Sequence, residues 1–214
     1  MKLFIVAPIN DGLTEKTTVV WAQNAVKFAA MQGISATPLV GESITRKVVE
    51  GALAAHQDEP GMFCFFDHGT ECSLYDADHQ PMIDTDNVGL LKNKFVYAVA
   101  CHAAAGLGPV AIAGGAAGFL GFSEKVYVSQ RADFPRLIGR CLVSGLITLL
   151  RDAGNAGQAE IFIREKHKTT ILELMHRTDI SHAEQLILAD AFRHNQACLT
   201  VLGDKSWGWR TVAA

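Results

Sequence analysis

Between Phe95 and Ser123 the chain carries no Asp, Glu, Lys or Arg. An uncharged run of that length is long enough to span a bilayer. Gly106, Gly108, Gly114, Gly115, Gly118 and Gly121 fall inside it, together with Pro109. These residues give it poor helix propensity through its middle. It reads instead as a buried strand, a tight turn, a short helix and a second buried strand, and no membrane association is expected. A basic stripe is also missing. The net charge is -3 and the lysines and arginines are scattered, which argues against a nucleic-acid partner. No cationic segment precedes a cleavable apolar stretch, so no signal peptide is expected. The five cysteines are odd in number and include no Cys-x-x-Cys. They read as free thiols of a reducing, cytoplasmic setting rather than as a disulfide framework. Repeats, low-complexity tracts and linkers are absent, so residues 1–214 are expected to form one domain. With 49% hydrophobic and 19% charged residues, a chain of this length can bury a substantial core.

What is present alternates between two periodicities. KLFIVAP (2–8) reads as a buried strand, and residues 14–31 as a helix stopped by Gly33. SATPLV (35–40) is a weaker strand, and 45–57 a second helix with Val48, Val49, Ala52, Leu53 and Ala55 on its apolar face. MFCFF (62–66) is apolar on both alternating faces, as in a strand covered on both sides. Residues 74–83 are polar and turn-rich, and 88–91 belong to a short helix. FVYAVA (95–100) is a fourth strand, a short helix begins at Pro109, and 118–128 contain a fifth strand. The remainder is mostly helical, over 134–152, 158–176 and 182–194, and closes with the strand ACLTVL (197–202). Alternating strands and helices predict an α/β fold with a mostly parallel, helix-covered sheet. Right-handed crossovers align the strand C-terminal ends along one edge, where ligands bind.

Two chemical groups fall on that edge. His68 follows the third strand, in FFDHGT, and Cys101 follows the fourth. If those strands are neighbours, about 5 Å apart, the two side chains converge on one crevice. A thiol becomes a good nucleophile beside a base. An imidazole titrating near neutrality can accept its proton and later donate one to a leaving amine. Gly69 has no side chain, so its N–H can approach a substrate oxygen and, with the Cys101 N–H, form an oxyanion hole. Asp11, after the first strand, is expected to border the same cleft, and Asp67 is awkwardly placed to orient His68. Cys64, Cys141 and Cys198 read as packing residues and Cys72 as exposed. The remaining histidines read as structural or solvent-facing.

An apolar strand leading to His-Gly, then an apolar strand ending in Ala-Cys, resembles the caspase-like (clan CD) cysteine peptidases. Further pieces resemble the gingipain branch. GGAAGFLGFSEKVY (114–127) is similar to that family's "GA-apolar-apolar-G" strand, and the helix from Phe134 fits the one that follows. ACLTVLGDKSW (197–207) looks like its closing strand, with Lys205 where proline is usual. CHAT domains share the same His and Cys. The resemblance runs from residue 1 to about 210 in order. It implies a caspase-like three-layer α/β sandwich with a helical C-terminal half, a His68/Cys101 dyad, and peptide hydrolysis through a thioester. It implies no cofactor or metal. Such enzymes often read a charged side chain before the scissile bond, and Glu124 and Asp133 are the acidic candidates to face a basic one. The expected partners are a protein or peptide substrate and, in addition, an activating protein or a second copy.

Other readings stay open at this level. His68 and Cys72, four apart, with Cys101-His102 nearby, are zinc-ligand types. GLGPVA (106–111) fits a dinucleotide-binding fingerprint but sits at the fourth strand rather than the first. A caspase-like adaptor without turnover would carry the same dyad.

Overall fold

The computed structural model describes residues 1–129, 133–151 and 154–209. Its centre is a six-stranded sheet. In chain order the elements are β1 (Lys2–Pro8), α1 (Gly12–Lys16), α2 (Thr18–Met31), β2 (Ala36–Gly41), α3 (Arg46–Ala54), β3 (Gly61–Phe66), β4 (Ser73–Tyr75) and β5 (Pro81–Asp84). There follow a single 3-10 turn at Val88–Leu91, β6 (Lys94–Val99), α4 (Leu107–Ala113), β7 (Gly118–Phe122), α5 (Phe134–Leu150), α6 (Ala156–Met175), α7 (His182–Cys198) and β8 (Leu199–Gly203). The strand order is β2-β1-β3-β6-β7-β8, and β4 pairs with β5 as a separate hairpin. All pairings in the large sheet are parallel except β7 with β8. The expected fold class is therefore the one observed.

Strand alternation sorts the core into two layers. Leu3 and Ile5 of β1, Cys64 and Phe66 of β3, and Phe95 and Tyr97 of β6 pack toward α2, α5 and α6. Phe4, Phe63, Phe65 and Val96 pack toward α3, α4 and the hairpin. Every residue of β3 and β6 is buried. Each large apolar side chain so enclosed contributes about 1.5–3 kcal/mol relative to exposure, which is why these strands hold the middle of the sheet. Lys94 obeys the same demand at a cost. Its buried ammonium donates to the carbonyls of His56 (2.9 Å), Gln57 (3.2 Å) and Glu59 (2.5 Å), closing the turn after α3.

The expected helix over 14–31 is two helices. Thr17 and Thr18 turn their hydroxyls back onto the carbonyls of Leu13 (2.7 Å) and Thr14 (3.0 Å). Thr17 leaves helical geometry at φ -122°, ψ -80°. Hydroxyl competition for backbone acceptors accounts for the break. The polar stretch 74–83 holds the β4–β5 hairpin, whose loop wraps around the Asp76 carboxylate. That group accepts from the N–H groups of Asp78 (3.0 Å), Gln80 (2.9 Å) and Arg46 (3.2 Å). Among the described residues no helix is long and apolar enough to cross a membrane.

Candidate active site

β3 and β6 are parallel neighbours whose last paired rung sets Phe66 against Val99. His68 and Cys101 each lie two residues past that rung. Both leave the sheet at the same edge, the one where parallel α/β sheets bind ligands.

The fold supplies His68 with a carboxylate from the turn after β1. Asp11 caps the N-terminus of α1, one oxygen accepting the N–H groups of Leu13 (2.9 Å) and Thr14 (2.8 Å). Its other oxygen lies 3.4 Å from His68 Nε2. Burial alone would raise the Asp11 pKa. The hydrogen bonds from Thr14, His68 and Leu13 outweigh it and hold the group below its ordinary value. Asp11 is thus a carboxylate facing an imidazole, an arrangement that orients the ring. The sequence sets Asp11 at the cleft without assigning it this partner. The available signal is the Asp11-x-x-Thr14 capping box directly after β1.

Asp67 is different. Its side chain is wholly enclosed, and Oδ1 lies 3.9 Å from His68 Nε2. Neither oxygen reaches a hydrogen-bond partner of good geometry. Burial pushes this carboxyl up to about 8; the His68 backbone N–H offsets part of that, and the Asp11 charge adds to it. At neutral pH the acid is largely protonated.

Gly69 bridges to Leu74, flanked by hydrogen bonds from Tyr75 N–H to His68 O (3.2 Å) and from Thr70 N–H to Ser73 O (2.8 Å). This is the non-hydrogen-bonded kind of antiparallel pair, so the Gly69 N–H points away from β4. A Cβ at Gly69 would meet Ala100 Cβ at 2.9 Å and Cys101 O at 3.2 Å. Glycine therefore lets the His68 and Cys101 loops lie against each other.

Cys101 is half-buried, and its Sγ accepts the Val126 N–H at 3.3 Å. His102 adopts the left-handed region at φ 58°, which is uncommon outside glycine and concentrates at functional sites. The turn is anchored to the end of β7 by His102 N–H to Glu124 O (3.0 Å) and Ala104 N–H to Phe122 O (3.0 Å).

Two residues not assigned to the site lie next to it. The hairpin loop carries His79, whose ring centroid is 6.0 Å from that of His68. Asn10 donates through Nδ2 to Asp76 O (2.8 Å), tying the end of β1 to that loop. Their proximity depends on how the hairpin folds back, which no local pattern encodes.

The acidic specificity candidates separate. Glu124 is exposed and its carboxylate lies 3.8 Å from His194 Nε2. Asp133 is engaged by Arg177 in an ion pair at the start of α5. The glycines of GLGPVA are accounted for by packing. A Cβ at Gly106 would meet Glu71 O at 2.3 Å, and one at Gly108 would meet Leu202 Cδ1 at 2.9 Å. Among the described residues no group of three or more His, Cys, Asp or Glu side chains is gathered to hold a metal ion. Cys64, Cys141 and Cys198 are buried and Cys72 is exposed.

No family model matches the chain, and no curated protein matches it. Among solved structures it is similar to the complex of Porphyromonas gingivalis RgpB pro- and mature domains. The TM-score is 0.62 and the sequence identity 13%, over 96% of this chain and 47% of that one. The chain thus spans about half the length of that solved chain. At this identity the likeness is one of fold, and it is the caspase-like fold expected from the sequence.

Proposed function

We propose that the protein is a cysteine peptidase in which Cys101 is the nucleophile, His68 the proton carrier and Asp11 the residue that positions His68. The observation that carries the reading is the equal offset of His68 and Cys101 beyond the Phe66–Val99 rung, with Asp11 against the imidazole. Likeness in fold to the RgpB complex supports it without extending to activity.

In the reaction, Cys101 Sγ as thiolate attacks the carbonyl carbon of a peptide bond. The developing oxyanion is met by the N–H groups of Gly69 and Cys101. The C–N bond breaks, His68 gives its proton to the leaving amine, and a thioester to Cys101 remains. Water then attacks the thioester with its proton passing to His68. The acid departs and the thiol is restored. Asp11 remains ionised throughout and stabilises the imidazolium. Because it is anionic at neutral pH, it also favours a substrate without acidic side chains next to the scissile bond. Glu124, exposed beyond β7, is the acidic residue proposed to meet a basic substrate side chain. Asp133 would have to give up Arg177 first. Residues 1–214 are proposed to act as one domain on protein or peptide substrates in a reducing, cytoplasmic setting, with an activating protein or a second copy as the further partner.

The test is a peptide-library profile with Cys101→Ala beside the unaltered protein. Cleavage should fall on the order of a thousandfold or more in that variant. A thiol alkylator should label Cys101 before the buried cysteines. Asp11→Asn should lower the rate about ten- to a hundredfold while leaving alkylation of Cys101 possible. A folded protein whose Cys101 is inert and which cleaves no peptide would instead be a binding module on the same fold.

A further inference from the structure

A groove of about 1040 Å³ lies between α1–α2 and α5. Its position relative to the dyad follows from how these helices run. Trp21 Nε1 donates to Pro135 O at 3.0 Å, near the start of α5. The Arg151 guanidinium, just past the end of α5, sits 5.8 Å over the Phe28 ring. The two helices therefore point the same way, both beginning at the strand edge that carries His68 and Cys101. Asp11, the partner of His68, lines one end of the groove, and Asn24 and Ile147 line it farther along. Along α5 the lining runs from Arg136 to Ile147, about 16 Å at 1.5 Å per residue. That is room for about five residues of extended chain.

The chemistry of the walls changes along that length. Asp11 is the single acidic residue of the lining, whereas Lys16, Arg136 and Arg140 are cationic. In a chain of net charge -3, three cations around one groove are a local reversal of sign. Arg140 meets Glu173 at 3.4 Å, but that pair is exposed, and exposed pairs contribute little and are readily traded. Lys16 and Arg136 form no ion pair among the described residues. Arg136 also stands in the first turn of α5, where the helix dipole disfavours a cation. Between the cations the walls are apolar, formed by Val20, Val143 and Ile147 over the edge of Trp21.

We propose that this groove binds an acidic polypeptide segment through an apolar anchor, with its carboxylates on Lys16, Arg136 and Arg140. Its continuity with the dyad rests on the peptidase reading; the binding does not. The sign change from Asp11 to Lys16 sets the polarity. Acidic side chains of the bound chain lie away from the reacting bond, and neutral or basic ones lie beside it.

The experiment uses the full chain carrying Cys101→Ala and fluorescein-labelled peptides of about ten residues, an extended length that exceeds the groove. One peptide carries glutamates around a central leucine pair, one has lysines in place of the glutamates, and one has serines in place of the leucines. Fluorescence anisotropy should report binding of the first alone, weakening as salt rises. Lys16→Glu with Arg136→Glu should reduce its affinity about tenfold or more. Val20→Gln should reduce it by a smaller factor; all three positions are exposed, and circular dichroism checks that the variants fold. Equal binding of the lysine peptide, no binding of the glutamate peptide, or unchanged affinity in the double charge reversal overturns the proposal. So does light scattering that finds a second copy of the chain seated there, released by the charge reversal. Cleavage by the unaltered protein is scored separately, so loss of the peptidase reading leaves the binding result standing.

Discussion

Asp67 stands one residue from His68 with a carboxyl that has been removed from water and has no hydrogen-bond partner of good geometry in exchange. Its pKa rises from 3.8 to about 8. Between those values the folded protein holds a proton that the unfolded chain has released. Stability from this group is therefore full below about pH 4 and is lost as pH rises through about 8. Each tenfold change in proton affinity is worth about 1.4 kcal/mol, so the loss should reach a few kcal/mol once local relaxation is allowed for. Asp67→Asn removes the titration and keeps the shape. Above about pH 6.5, where His167 no longer contributes a slope, we expect urea midpoints of the variant to hold steady up to about pH 9 while those of the unaltered protein decline. An equal decline in both would place the proton elsewhere. Asp11, in the sequence one more acidic residue, sits at the opposite extreme. Backbone donors and an imidazole keep it ionised. What separates two aspartates of one site is enclosure, which the residue name does not carry.

At the scale of elements, the seam between α2 and α5 decides both stability and the width of the groove. A Cβ on Gly139 would meet Trp21 Nε1 at 2.2 Å and Cδ1 at 2.5 Å. Replacing a mid-helix glycine with alanine gains about 0.5–1 kcal/mol of helix propensity. Overpacking a rigid indole costs about 1–3 kcal/mol, so the clash wins. Gly139→Ala should lower stability by about 1–2 kcal/mol in chemical denaturation, the difference of those two effects. A more stable variant would mean that Trp21 moves freely. The seam is only half legible in the sequence. The apolar periodicity of 134–152 marks the helix, up to the residues beyond Arg151 that lie outside the described ones. Which glycine touches which ring follows only from the crossing. The β4–β5 hairpin is less legible still, because its strands are short and its loop is shaped by N–H groups gathered on Asp76.

For the whole molecule, the helical half behind the sheet contains a buried titratable group that acts in the opposite sense to Asp67. His167 is fully enclosed, donates through Nδ1 to Ile163 O at 2.8 Å, and meets the Phe192 ring edge-on. Burial lowers its pKa from 6.5 to about 4. In that window the unfolded chain binds a proton that the folded one refuses. Stability is thus present above about pH 6.5 and is lost as pH falls through about 4. With Asp67 acting in the opposite sense, the protein should be most stable between mildly acidic and neutral pH. His167→Asn keeps a donor toward Ile163 without titrating. It should flatten the acid limb of thermal-melting profiles even if the whole curve drops; an unchanged slope would overturn this assignment.

The sequence by itself determined the element types outside the β4–β5 hairpin and the break at Thr17, the parallel character of the sheet and the edge at which His68 and Cys101 emerge. Each of these follows from short-range periodicity and from strands apolar on both faces, which have nowhere to go but the middle. Only the tertiary structure decided the strand order, the meeting of Asp11 with His68, the enclosure of Asp67, and the engagement of Asp133 by Arg177. These depend on which distant segments lie side by side. Charge and pKa are properties of such neighbourhoods, because desolvation and Coulomb interactions act through space rather than along the chain.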